Sequence, residues 1–119
     1  MTRLIAALTA LMIAAAALPA MAGELRLIFV RSDSCHWCAL WEAEIAPAYP
    51  TRPEGRAAPL MRVDIDGPWP DGLALARRAW VTPTFILTRD GMETARIEGY
   101  PGAARFWQVL AGMIGDARG

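Results

Sequence analysis

Lysine is missing from this 119-residue chain: all twelve basic side chains are arginine, set against twelve acidic ones, for a formal net charge of zero. Beside abundant alanine, proline and glycine this reads as a compositional bias of the encoding genome and points to no activity. The balance of charge says more. The arginines are scattered, and without a basic stripe the chain lacks the electrostatic footprint that nucleic acids require, which argues against a DNA or RNA partner. Histidine occurs once and cysteine twice, so few side chains could ligate a transition metal. Internal repeats and low-complexity stretches are absent after residue 22. The 55% hydrophobic content with 20% charge argues against a disordered tail. One domain with a small core is what this length allows.

The first 22 residues stand apart. An apolar run from Leu4 to Leu18 follows a single Arg3, and Pro19 precedes the small-x-small triplet Ala20-Met21-Ala22. That layout is the one of a secretory signal peptide and predicts cleavage after Ala22. An uncleaved anchor is the competing reading, because Leu4 to Ala22 approaches the roughly 20 apolar residues that span a bilayer. Removing 22 of the 119 residues leaves 97, with eleven basic and twelve acidic side chains. No later run is long and apolar enough to cross a membrane, so residues 23–119 are expected to form a soluble domain with no stable membrane insertion. Export would place it in an oxidising compartment, where a cysteine pair is either a staple or a redox catalyst.

Leu25 to Val30 is an apolar run of strand length, suited to a strand buried on both faces. Asp33 or Ser34 can cap a helix from about Cys35 to Ala46, whose Cys38, Trp41, Ile45 and Ala48 follow helical spacing, with Pro47 and Pro50 ending it. Thr51 to Ala58 is rich in Pro, Gly, Arg and Glu and reads as a loop. Leu60 to Ile65 is a second strand, parallel to the first because a helix-bearing crossover separates them. After a turn-rich stretch, a short helix is expected from about Leu73 to Ala79. Thr84 to Thr88 is a third strand, Asp90-Gly91 signals a hairpin, and Glu93 to Glu98 is its antiparallel partner. Gly99-Tyr100-Pro101-Gly102 precedes an amphipathic helix from Ala103 to Ile114. The resulting order is βαβαββα, an α/β class with a four-stranded mixed sheet.

Both cysteines lie in Ser34-Cys35-His36-Trp37-Cys38-Ala39. Two intervening residues at a helix start bring the sulfurs within bonding reach, and the first thiol faces free N–H groups and the positive end of the helix dipole. A thiolate at Cys35 is stabilised there, which makes it the attacking group, and Cys38, one turn inside, the resolving one. A structural staple is the plain alternative, although so short a loop constrains little chain entropy. Zinc is another, but Cys35, His36 and Cys38 are only three ligands and the first two are adjacent. Covalent haem needs histidine after the second cysteine, where Ala39 stands.

A helix opening on Cys-x-x-Cys after the first strand of a βαβαββα chain resembles the thioredoxin superfamily. The resemblance covers nearly all of residues 24 to 115. It implies that Thr82-Pro83, opening the third strand in Trp80-Val81-Thr82-Pro83-Thr84-Phe85-Ile86-Leu87, is a cis peptide beside the cysteines, and that Thr82 offers its backbone to an extended substrate. The runs Trp41 to Pro50 and Glu54 to Leu60 are similar to the SoxS-type thioredoxin-like proteins found with bacterial sulfur-oxidation systems. That family implies a periplasmic thiol reductant acting on protein thiols and disulfides, supplied by an upstream membrane electron donor.

Two departures from ordinary thioredoxins bear on mechanism. Phe29 occupies the position, six residues before the first cysteine, where thioredoxins carry a buried aspartate. His36-Trp37 replaces the usual proline-containing pair. A protonated His36 can stabilise the Cys35 thiolate, or it is a first-turn residue without a role. Trp37 is a flat recognition surface beside the pair, whereas Trp41, Trp80 and Trp107 are expected in the core. The reading is a thiol-disulfide oxidoreductase needing no cofactor and no metal. A disulfide-forming oxidant is the enzymatic rival, and a metallochaperone or non-catalytic binding module the other; the chain has neither a large helical insertion nor a Met-rich or second histidine site near the pair.

Overall fold

The computed structural model describes residues 23–119; the expected signal peptide lies outside the described residues. Four strands form one sheet in the order β2-β1-β3-β4: β1 (Leu25–Arg31), β2 (Leu60–Asp64), β3 (Thr84–Arg89) and β4 (Met92–Glu98). β1 runs parallel to β2 and antiparallel to β3, and β3 is antiparallel to β4. The mixed thioredoxin-like sheet expected from the sequence is therefore present. Asp90 (φ 51°) and Gly91 (φ 83°) both take the left-handed conformation, the geometry of the tight hairpin that this dipeptide announces.

β1 is apolar throughout its middle because it is covered on both faces. One face turns Leu25, Leu27 and Phe29, with Phe85 and Leu87 of β3, toward the main core. Over it lie α1 (His36–Glu44), a 3₁₀ turn (Tyr49–Thr51), α2 (Pro53–Ala57) and α3 (Ala103–Arg118). Phe106, Leu110, Met113 and Ile114 of α3 are buried against this face, and Trp107 is half-buried, stacked on Tyr49 at 5.8 Å. The other face carries Ile28, Val30, Val63 and Ile86, covered by Met61, Ile65, Trp69, Leu73, Leu75 and Ala79.

The helix expected from Leu73 to Ala79 is not formed. That segment is an extended strap, bridged in parallel to β4 at Ala74 and Met92. Its apolar Leu73 and Leu75 alternate with exposed Ala74 and Ala76, a period of two that fits an extended chain against a sheet face. Polar pins hold it. The Ala76 N–H donates to Glu93 Oε1 at 3.1 Å, Arg96 donates to the Arg77 carbonyl at 2.8 Å, and Arg77 pairs with Glu98. Glu93 and Arg96 pair with each other at 2.6 Å, each side chain only 6% exposed. Hydrogen bonds from Arg96, and then from the Ala76 N–H, hold the Glu93 carboxyl below the usual carboxylate range against the opposing effect of burial.

A helix also stands where a loop was expected. Pro53 at the first helical position suits a helix start, since its missing N–H would have no partner there. The segment is closed by the Tyr49 hydroxyl, which donates to the Ala58 carbonyl at 2.6 Å. Burial pushes the pKa of this phenol well above its ordinary value, with nearby Glu54 adding to the effect. Gly55 lies against the Tyr49 backbone so closely that a Cβ would stand 1.6 Å from the Tyr49 carbonyl oxygen. Gly55→Ala is expected to lower stability by about 2 kcal/mol or more, since overpacking against backbone cannot be relieved by a rotamer change; urea unfolding of the two chains measures it.

Candidate functional site

The site is assembled where β1 ends. Ser32 to Ser34 turn the chain into α1, and the Cys35 N–H donates to the Ser32 carbonyl at 3.3 Å. Cys35 itself is the N-cap, in an extended conformation, and its Sγ accepts from the Cys38 N–H at 3.0 Å. This corrects the expectation that Asp33 or Ser34 caps the helix: the sulfur takes the place of the usual side-chain oxygen. Asp33 instead pairs with Arg31 at 2.8 Å, with its side chain almost wholly in solvent, and Arg31 reaches Asp64 at 3.3 Å.

Cys35 and Cys38 form a disulfide with their Cα atoms 5.1 Å apart. The two sulfurs differ in access. Cys35 is partly exposed, whereas Cys38 lies on the α1 face that carries Trp41 and Ile45 and is 3% exposed. Among the described residues no group of three or more His, Cys, Asp or Glu side chains stands together as a metal site.

His36 and Trp37 project from the first turn into solvent, their rings meeting edge to face at 5.3 Å. Thr82-Pro83 is a cis peptide, as the resemblance implied; the cis bond at Gly67-Pro68 had no counterpart in the sequence reading. The Thr82 and Ser32 hydroxyls lie 3.2 Å apart, tying the segment before β3 to the turn before Cys35. Pro83 is buried, its carbonyl accepting from the Gly99 N–H at 2.8 Å. The Thr84 hydroxyl donates to the Val81 carbonyl at 2.6 Å, whereas among the described residues the Thr82 backbone groups have no backbone partner.

Beneath the pair the core is aromatic. Phe29 is fully buried, stacked on Phe85 at 5.2 Å and tilted against Trp41 at 4.5 Å. No protein-family model matches the chain, and neither does any curated protein. Among solved structures, the reduced form of the periplasmic thioredoxin SoxS from Paracoccus pantotrophus is 51% identical, with a TM-score of 0.77, covering 79% of this chain and 99% of its own. The chain belongs to the SoxS-like thioredoxins.

Thioredoxins of Fasciola hepatica (18% identity, TM-score 0.54, covering 77% of this chain and 83% of their own) and Malassezia sympodialis (14%, 0.54, 78% and 77%) share the fold. As a SoxS-like thioredoxin with a Cys-x-x-Cys disulfide at a helix start, the chain is a thiol-disulfide oxidoreductase, and proteins of this kind act on protein thiols and disulfides. Among the described residues no helix is long and apolar enough to cross a membrane.

Sequence reasoning missed Ser32 at this site and misplaced Trp80. Ser32, which holds Thr82, carried no signal beyond being a polar turn residue. Trp80, expected in the core, is 71% exposed. Its apolar size suggested burial, but it follows the exposed Arg77 and Arg78 and comes two residues before Thr82, outside both hydrophobic clusters.

Proposed function

We propose that the chain is exported by cleavage after Ala22 and works in the periplasm as a reductant of partner-protein disulfides within a sulfur-oxidation system. The identity with a periplasmic SoxS supports the location. The observation that carries the chemistry is the asymmetry of the pair. Cys35 Sγ accepts an N–H at the open end of α1 while Cys38 is enclosed, so a negative charge is favoured on the first sulfur and opposed on the second.

In the reduced protein the Cys35 thiolate attacks a target disulfide, forming a mixed disulfide and releasing one target sulfur as a thiolate. Cys38 then gives up its proton and attacks Cys35 Sγ, which releases the second target thiol. Two electrons pass to the target, one proton comes from Cys38 and the second from solvent, and Cys35–Cys38 is left as the disulfide. An upstream membrane electron donor returns it to the dithiol. Thr82 offers unpaired backbone groups to an extended partner segment, with Pro83 beside it and Trp37 as a flat apolar wall. His36, when protonated, adds positive charge next to Cys35.

Cys38→Ser is expected to accumulate mixed disulfides with partner proteins under non-reducing conditions, and Cys35→Ser to trap almost none; equal trapping by the two variants would refute the assignment of the nucleophile. The reduction potential against glutathione is expected near the thioredoxin value of about −270 mV, and a value near about −120 mV would make the chain an oxidant instead. N-terminal sequencing of the exported protein is expected to begin at Gly23. A chain that retains Met1 would defeat cleavage and leave the segment as an anchor.

A further inference from the structure

Among the described residues the large hydrophobic side chains that stand widely exposed are Trp37, Trp80 and Met92. Two of the three are tied to the redox site along the chain. Trp37 lies between the cysteines, and Trp80 precedes by two residues the Thr82 that touches Ser32, within about 7 Å along the chain. An exposed tryptophan in a small domain is the informative kind of exception to burial, because so large an apolar surface tends to be left in water where a partner covers it.

The conformation that exposes Trp80 is fixed from both sides. Upstream, Glu93 and Arg96 hold Ala76 and Arg77, and the Ala74 N–H donates to the Gly91 carbonyl at 2.9 Å. Downstream, Thr84 closes on Val81, and Ser32 meets Thr82. Between these pins Trp80 stands outside both hydrophobic clusters. Trp80 is therefore a preformed contact, with little conformational freedom to lose on binding.

We propose that Trp80 is a specificity-determining contact for protein substrates, taking an apolar side chain that flanks the partner's reacting disulfide, and that the Glu93–Arg96 pair is its positioning device. The partner is an extended polypeptide segment that runs along Thr82, with its disulfide over Cys35 and its flank on the indole. This deepens the reductant reading and rests on it. A small disulfide that reaches Cys35 without a flanking chain has no use for Trp80.

The test compares insulin, as a protein disulfide, with bis(2-hydroxyethyl) disulfide, as a small one, both reduced by the exported chain under dithiothreitol. Trp80→Ala is expected to raise KM for insulin about tenfold, as loss of an interface anchor of about 1.4 kcal/mol does. Its kcat and its rate on the small disulfide should stay within about twofold of the parent on the same scale, and Trp80→Phe should recover most of the loss. Arg96→Met, or the gentler Glu93→Gln if that chain folds poorly, should raise the insulin KM in the same way without slowing the small disulfide. An unchanged insulin KM in Trp80→Ala, or equal losses on both substrates, overturns the contact. A lower melting temperature in the Glu93 and Arg96 variants with an unchanged insulin KM overturns the positioning role. A parent chain that reduces the small disulfide but leaves insulin oxidised fails the reductant reading itself, and the contact with it.

Discussion

The indole of Trp41, enclosed between Phe29 and Phe85 of the sheet and Phe106 of α3, sets the position of α1 and of everything at its N-terminus. The three ring contacts lie at 4.5, 5.2 and 5.8 Å, and the side chain has no exposed surface. Its Nε1 has no hydrogen-bond partner among the described residues, an omission that costs about 1–3 kcal/mol. Burial of so large a ring contributes about 3–5 kcal/mol, so packing outweighs the lost hydrogen bond and the helix stays docked. Cys38 is one turn before Trp41 on the same face and is buried as a consequence. Cys35, one turn earlier again, falls at the rim. The unequal access of the two sulfurs thus follows from where one aromatic side chain is seated.

The opposite face of the sheet is organised by charge as much as by apolar contact. A strap without helical hydrogen bonds must satisfy its backbone elsewhere, and Glu93 and Arg96 of β4 supply such partners, while Glu98 holds the Arg77 side chain. A buried ion pair adds little net stability, because desolvation offsets most of the attraction, but removing one member leaves a charge stranded. The Glu93–Arg96 pair therefore acts chiefly on geometry. It holds the chain at Ala76 and Arg77, from which the segment runs on to Trp80 and Thr82.

Most of the sheet was legible because its signals are local. β1 is an apolar run interrupted only by Arg26 near its start, Asp90-Gly91 occupies two positions that need positive φ, and the Cys-x-x-Cys spacing marks a helix start. The failures share a cause, which is that a tertiary partner decided the local conformation. Leu73 to Ala79 has the composition of a helix, and only the carboxylates and guanidinium of β4 make an extended strap the better solution. Pro53 to Ala57 has the composition of a loop, yet its packing of Gly55 on the Tyr49 carbonyl makes a turn of helix fit. The N-cap was placed on Asp33 or Ser34 because oxygen is the usual acceptor, and a sulfur held close by the disulfide took the role instead. Trp80 was assigned to the core on size alone, and nothing in its neighbours announces that the chain around it is pinned outward.

The substitution of Phe29 for a buried carboxylate changes where the proton chemistry of the pair can take place. In this chain the layer beneath Cys38 consists of Phe29, Phe85, Phe106 and Trp41, which neither accept nor deliver a proton. In the proposed reaction the enclosed Cys38 must lose a proton, and among the described residues the buried polar side chains are Thr84 and Thr88, neither of them a carboxylate. The resolving step then depends on a base arriving from outside. The target sulfur released in the first step is one, since it leaves as a thiolate within the same encounter. The open first turn, with His36 exposed beside Cys35, offers another polar approach to the pair. A sequence that fills its proton-relay position with a phenyl ring couples the second step to the first. Under the proposed order of attack, the departing thiolate of the first step would draw Cys38 into the second.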